Sequence, residues 1–281
     1  MNHREGTFKG VRDARIYYQG WLPEGDSKAA LLVVHGLAEH SGRYANLVRH
    51  FVPPGYAVYG LDHLGHGKSD GTRVYVDRFS DYLTTLKIYV DMVREWEPER
   101  PVFLVGHSMG GLIGALFLLD HQEDLAGAVL SGPSVKVPDN ISGATIFVGK
   151  VLSALLPKAG LIALEAEGIC RDPAVVEAYV NDPLVYTGKT TARLGAELLN
   201  AMQRIIVEAG RITLPLLIVQ GGADRLVDPA GATMLFDKIG SADKEIKVYD
   251  DFYHEVFNEP EHERVLGDVE AWLEKRLNIE H

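Results

Sequence analysis

Short apolar runs alternate along the chain with longer segments in which apolar residues recur every three or four positions. The runs Leu31-Leu-Val-Val, Tyr56-Ala-Val-Tyr, Val102-Phe-Leu-Val, Ala128-Val-Leu, Leu216-Leu-Ile-Val and Ile246-Lys-Val-Tyr read as strands, and several are apolar throughout, as strands buried on both faces are. Between them the spacing predicts helices over Tyr44–Phe51, Phe79–Trp96, Met109–His121, Thr191–Glu208, Pro229–Ile239 and Pro260–Leu277. Strand–helix alternation of this kind makes a mostly parallel sheet with helices on both faces. Upstream, Gly6–Val11 and Arg15–Tyr18 flank an Arg-Asp-Ala turn and read as an antiparallel hairpin on one sheet edge.

One connection breaks the rhythm. The strand ending near Ser131 is followed by about eighty residues before the strand beginning near Leu214, far more than a strand–helix–strand unit needs. The predicted organisation is therefore an α/β core of residues 1–133 and 211–281, interrupted by a helical insertion over 134–210. The last helix of that span could belong to either part. In the segment from Ile141 to Leu156, positions 141, 145, 148, 152 and 155 fall on one helical face, apolar apart from Thr145, while Phe147, Val151 and Ala154 add apolar groups on other faces. Such a helix needs two apolar neighbours. One is the sheet domain; the other is a lipid chain, a membrane surface or the rest of the insertion.

Composition narrows the classes. With 28 basic and 39 acidic residues the formal charge is −11, so the chain has no overall basic footprint for a nucleic-acid backbone. The single cysteine, Cys170, excludes an intramolecular disulfide framework and a multi-thiolate zinc site. The first residues lack the basic and then apolar pattern of a secretory signal, and no apolar stretch has the length of a membrane span, so a cytoplasmic protein is expected, with peripheral membrane contact the one lipid-facing option.

The strand Val102–Val105 runs into Gly106-His-Ser-Met-Gly110 and then a helix, the strand–turn–helix context of a G-x-S-x-G nucleophile elbow. Glycines at 106 and 110 leave space for a strained turn at Ser108. A serine hydroxyl needs a base, itself oriented by an acid, and in such elbows the three follow in the order Ser, acid, His. His254 lies just after the last strand, whereas His262 falls inside the final helix. Asp224 and Asp228 both follow the strand Leu216–Val219, but Asp228 precedes Pro229 at a helix start and reads as a cap. Asp224 is therefore the expected acid. The two N–H groups that would meet a developing oxyanion are assigned to Met109, after the serine, and to Leu37, in the loop His35-Gly-Leu-Ala-Glu-His40. His35 is expected to hold that loop in shape. The His63-x-x-His66 pair in Asp62-His-Leu-Gly-His-Gly reads as part of a glycine-rich turn, with no metal and no cofactor expected.

Five linked motifs, His35-Gly-x-x-Glu39-His40-x-x-Arg43-Tyr44, Asp62-His-x-Gly-His-Gly-x-Ser, Gly106-His-Ser-Met-Gly-Gly, Asn181-Asp-Pro-Leu and Gly222-Ala-Asp-x-Leu-Val, resemble the monoacylglycerol lipase branch of the α/β-hydrolase superfamily over nearly the whole chain. The resemblance implies an eight-stranded sheet and a helical cap formed by the insertion. It also implies an acyl tunnel, to which Thr145, Val148 and Leu152 would contribute. Glu39 and Arg43 are implied in a polar alcohol-side pocket, with a purely structural ion pair as the alternative. Phe257 stands three residues after His254, where some relatives carry another histidine. The leading expectation is a serine hydrolase cleaving monoacylglycerols, or similar esters, through an acyl-enzyme on Ser108. A broader carboxylesterase or lysophospholipase is the runner-up, and a non-catalytic ligand receptor on the same fold the reading from another class. The partners expected are a lipid or small ester substrate and, through the cap, transient contact with membranes or lipid aggregates, with no nucleic acid.

Overall fold

The computed structural model describes residues 1–137 and 143–277, and the side chains of all of these except 143–147. Strands β1 (Asn2–Lys9) and β2 (Arg15–Leu22) form the N-terminal hairpin; β3 (Ala29–Val34), α1 (Ala45–Phe51), β4 (Tyr56–Leu61), α2 (Ser80–Trp96), β5 (Val102–His107), α3 (Met109–His121) and β6 (Gly127–Ser131) follow. The insert carries α4 (Gly143–Leu155), β7 (Gly160–Ala163), α5 (Pro173–Asn181), β8 (Lys189–Thr191) and α6 (Ala192–Glu208), after which β9 (Leu216–Gly221), α7 (Ala230–Lys238), β10 (Lys244–Tyr249) and α8 (His262–Leu277) complete the chain. One eight-stranded sheet has the order β1-β2-β4-β3-β5-β6-β9-β10. The hairpin is antiparallel, β2 pairs antiparallel with β4, and the remaining pairs are parallel.

The continuous apolar runs are explained by burial on both faces. In β3, Ala30, Leu32 and Val34 enter one core with α2, α3 and α6, while Ala29, Leu31 and Val33 enter a second core with α1 and α8. The hairpin is longer than the pattern predicted, because the polar residues Asn2–Glu5 pair in register with Gln19–Leu22 on an edge where one face is solvated.

Inside the insert, β7 and β8 form a small antiparallel pair, and Ile169, Cys170, Tyr179 and Val185 make a separate cluster. Neither β7, β8 nor α5 was anticipated, since strands of four and three residues leave no periodicity to read. Helix α6 buries Leu194, Ala201, Met202 and Ile205 in the same core as α3 while packing against α4. Ile141 lies outside the described residues. Among the described residues no helix is long and apolar enough to cross a membrane.

Helix α3 is seated directly on the end of β3. A Cβ at Gly110 would stand 1.9 Å from the Val34 carbonyl oxygen and 2.5 Å from that of His35. Because the obstructing atoms are backbone, they cannot rotate away. Gly110→Ala is therefore expected to cost about 3 kcal/mol or more, despite the better helix propensity of alanine. The check is thermal unfolding, where a melting point equal to that of the parent would show that α3 does not need this approach.

Candidate active site

Ser108 joins β5 to α3 with φ 55° and ψ −118°, a region costly for a residue with a side chain. Its backbone is held on three sides. Its N–H donates to the Ser131 carbonyl at 2.9 Å, and its own carbonyl accepts from Leu112 and Ser134 N–H groups, both at 3.1 Å. A Cβ at Gly106 would lie 2.5 Å from the Gly110 carbonyl oxygen, so the turn closes only around glycine.

The loops after β9 and β10 are brought together by a similar approach. A Cβ at Gly221 would be 2.0 Å from the Tyr253 carbonyl oxygen. That contact lets Asp224 reach His254, whose Nδ1 lies 2.7 Å from Asp224 Oδ2. Gln220 Nε2 donates to the same oxygen at 3.0 Å, and the Leu226 and Val227 N–H groups donate to Oδ1 at 2.8 and 3.0 Å. Burial pushes the Asp224 carboxyl up, but the His254 charge and these hydrogen bonds outweigh it and hold the group below its usual range. For His254 burial favours the neutral ring, and the charges of Asp224, Glu255 and Glu39 reverse that and raise its pKa. Asp228, the rejected candidate, caps α7 by accepting the Ala230 N–H at 2.9 Å and pairs with Lys136.

Ser108 and His254 open on one cavity of about 90 Å³, whose wall includes Gly36, Leu37 and Met109 and whose roof includes Leu164, Ile169 and Tyr179 from the insert. Among the described residues neither the Leu37 nor the Met109 N–H has a protein acceptor. A larger groove of about 680 Å³ between α2, α3 and α6 is lined by Asp77, Arg78, Arg193, Glu197 and Arg204; its one hydroxyl, Ser80, has no histidine in that lining, whereas the smaller cavity brings a serine and a histidine together.

The predicted tunnel positions are arranged differently. The Thr145 side chain lies outside the described residues; Val148 is 54% exposed and Leu152 half-buried, and neither borders the cavity. Of the stripe's described side chains Val148 and Leu155 are exposed and Leu152 is half-buried, while Ser153 is buried; α4 packs against α6. Glu39 borders the cavity but Arg43 does not, and both are committed to protein partners, Arg43 Nη1 donating to Glu39 Oε2 at 3.0 Å. Phe257 is buried in the α1–α8 core. His35 Nδ1 lies 2.7 Å from the Gly36 carbonyl, and its Nε2 accepts the His63 N–H at 2.9 Å, so it does brace the loop. His63 and His66 pack at tilted angles on His35 and edge-on against Tyr82.

Two residues at the cavity escaped the sequence reading. His107, whose ring centre is 4.6 Å from that of His254, is kept neutral by burial, with its pKa lowered to about 4. Glu255, directly after His254, is buried and bonded to Arg43. The available signal was the loop itself, since a carboxylate between His254 and Val256-Phe257 needs a cation if the loop is buried. An NMR titration of the histidine rings is the direct check on this electrostatic pattern. His254 is expected to titrate above 6.5, while His107 and His35 stay neutral down to about pH 4 and His66 to about pH 3; a His254 midpoint below 6.5 would contradict the pairing with ionised Asp224.

Residues 25–261 match the family model described as serine aminopeptidase, S33. The chain is 40% identical to a monoacylglycerol lipase of Mycolicibacterium smegmatis over 97% of its length and 98% of the relative's, and 35% identical to the human monoglyceride lipase over 93% and 87%. The crystal structure of Paleococcus ferrophilus monoacylglycerol lipase superposes with a TM-score of 0.82 at 28% identity, covering 98% of this chain and 100% of that one. Extended similarity in sequence and fold, with the elbow and its partners in place, assigns the chain to the monoacylglycerol lipase family of the α/β-hydrolases.

Proposed function

We propose that the protein hydrolyses monoacylglycerols to fatty acid and glycerol through an acyl-enzyme on Ser108. The observation that carries this reading is a serine on a strained elbow that shares its cavity with an imidazole bonded to a buried aspartate. His254 takes the Ser108 hydroxyl proton as Oγ attacks the ester carbonyl. The N–H groups of Leu37 and Met109 receive the negative charge that develops on the carbonyl oxygen. Collapse breaks the bond to the alcohol oxygen, and His254 returns the proton to the departing glycerol. A water molecule, deprotonated by the same ring, then attacks the acyl carbon, releasing the fatty acid and restoring Ser108. Asp224 keeps Nδ1 protonated and stabilises the imidazolium formed in each step.

Lipid substrates also explain the insert. Leu164, Ile169 and Tyr179 from the insert line the cavity at Ser108, so an acyl chain reaching the serine passes against them. On the same insert Val148, Val151, Leu155, Leu156 and Ile162 present apolar side chains to solvent. Exposed apolar side chains in this number suit contact with a lipid surface.

Ser108→Ala and His254→Ala are each expected to lower kcat by about 10⁴-fold or more with the fold intact, and Asp224→Asn by a similar factor, while Asp228→Asn retains most activity. Fluorophosphonate labelling should mark Ser108 alone. The raised pKa of His254 fixes the sign of the pH response: the base is lost as pH falls, so kcat/KM should decline through a midpoint above 6.5. A flat profile well below that, with chemistry limiting, would sink the histidine base. Burying one Leu side chain in lipid is worth about 1.5–3 kcal/mol, so Leu155→Asp and Ile162→Asp should each reduce turnover of emulsified long-chain substrate by about tenfold or more. Hydrolysis of a soluble short-chain ester should be unaffected. Equal losses on both substrates would remove the lipid-surface role.

A further inference from the structure

Glu39, Arg43 and Glu255 form a charge cluster that none of these steps uses. Their side chains are 5%, 9% and 6% exposed. Arg43 reaches Glu39 Oε2 through Nη1 at 3.0 Å and holds Glu255 with both terminal nitrogens, the Nη2–Oε2 distance being 2.8 Å. Its guanidinium also lies 4.5 Å from the centre of the Tyr179 ring. Two carboxylates share one guanidinium, so the cluster carries an excess negative charge in a place shielded from water.

The other oxygen of Glu39 faces the oxyanion loop. Oε1 accepts the Gly36 N–H at 2.7 Å and the Tyr44 hydroxyl at 2.9 Å. Gly36 itself is pressed against the serine, since a Cβ there would meet Ser108 Cβ at 3.2 Å. The Gly36 amide is turned into the protein and Ala38 takes φ 67°; between them Leu37 lines the cavity, and among the described residues its N–H has no protein acceptor. At the opposite end of the cluster Glu255 accepts from Asn258 Nδ2 at 2.8 Å and donates its N–H to the Ile169 carbonyl at 2.7 Å, which fixes the loop that carries His254.

We propose that Glu39, Arg43 and Glu255 are positioning residues: Glu39 sets the oxyanion loop so that Leu37 supplies its free donor, and Arg43 locks that loop to the His254 loop. The negative charge of the two glutamates also acts on the His254 ring, favouring its protonated form. The inference rests on the assignment of Ser108, His254 and the two amides given above. It develops the ion-pair alternative to the alcohol-pocket role that the family resemblance implies for Glu39 and Arg43. The charged and titratable groups facing His254 are Asp224 from the loop after β9, Glu39 from the loop after β3, Glu255 beside it and the neutral His107 at the end of β5, so Glu39 and Glu255 are the anions other than its direct partner.

The test uses Glu39→Ala, Glu39→Gln and Glu255→Gln on a soluble short-chain ester. Glu39→Ala should lower kcat by about 100-fold, the loss seen when one oxyanion donor is misplaced, with KM changed less than about twofold. Glu39→Gln, whose amide oxygen still accepts the Gly36 N–H, should recover most of that loss above the acid limb. Equal losses in the two variants overturn the positioning of the loop, and a loss confined to KM makes Glu39 a substrate contact instead. If Glu39→Ala does not fold, Glu255→Gln decides: the acid limb of kcat/KM should move down by about one pH unit as a facing negative charge is removed. An unmoved limb in a variant that melts like the parent overturns the proposal. Failure of the underlying assignment is seen separately, as ester hydrolysis that survives in Ser108→Ala.

Discussion

The architecture of the site depends on how closely one helix can approach one strand. The first turn of α3 rests on the last carbonyls of β3 with no side chain between them, and this is possible only because position 110 is glycine. Two consequences follow from that single contact. Ser108 is forced into positive φ at the tip of the elbow, and Gly36, just beyond β3, is brought against its Cβ. The proposed nucleophile and the proposed oxyanion loop are therefore neighbours for a packing reason. Gly221 repeats the device between the loops after β9 and β10, where backbone again meets backbone and Asp224 comes within reach of His254.

Once these loops converge, burial makes charge the second constraint. Asp224, Glu39 and Glu255 all lie out of solvent within one small region, and each would be driven to its neutral form if left unpaired. The structure answers each one differently. Asp224 has an imidazole, an amide and two backbone donors, while the two glutamates divide Arg43 and take up Gly36, Tyr44 and Asn258. The resulting excess of negative charge around His254 raises its pKa, and burial lowers that of the adjacent His107. Two rings 4.6 Å apart are thus shifted in opposite directions: His254 bonds to the Asp224 carboxylate, whereas the side-chain partner of His107 is Ser131 Oγ, 3.2 Å from its Nδ1, and burial outweighs the anions nearby.

The insert obeys a looser logic. It is tied to the core by a few polar links, notably His40 Nε2 to Asp182 Oδ2 at 2.9 Å, the Tyr186 N–H to the Ala38 carbonyl at 2.8 Å, and Arg171 to Glu259. These links give the Asn181-Asp-Pro-Leu motif its meaning: it anchors the insert to the loop that carries Leu37. Val148, Val151 and Leu155 of α4, by contrast, are left exposed.

Local rules were enough to read most of the framework. The sheet strands, the helices α1, α2, α3, α6, α7 and α8, the strand–turn–helix setting of Ser108 and the contact of Asp228 with the start of α7 all follow from short-range patterns, because periodicity, glycine placement and cap chemistry act within a few residues. The short strands β7 and β8, the helix α5 and the outward face of α4 did not, since their partners lie far along the chain and apolar periodicity states that a face is greasy without stating what covers it. Glu255 was missed for the same reason. Its pairing with Arg43 joins positions separated by 212 residues, and nothing local marks a carboxylate as buried. The chemistry-bearing residues and their order are legible along the chain; which charges share a site is not, because a carboxylate's partner and protonation depend on burial and on distances of a few ångströms that only folding creates.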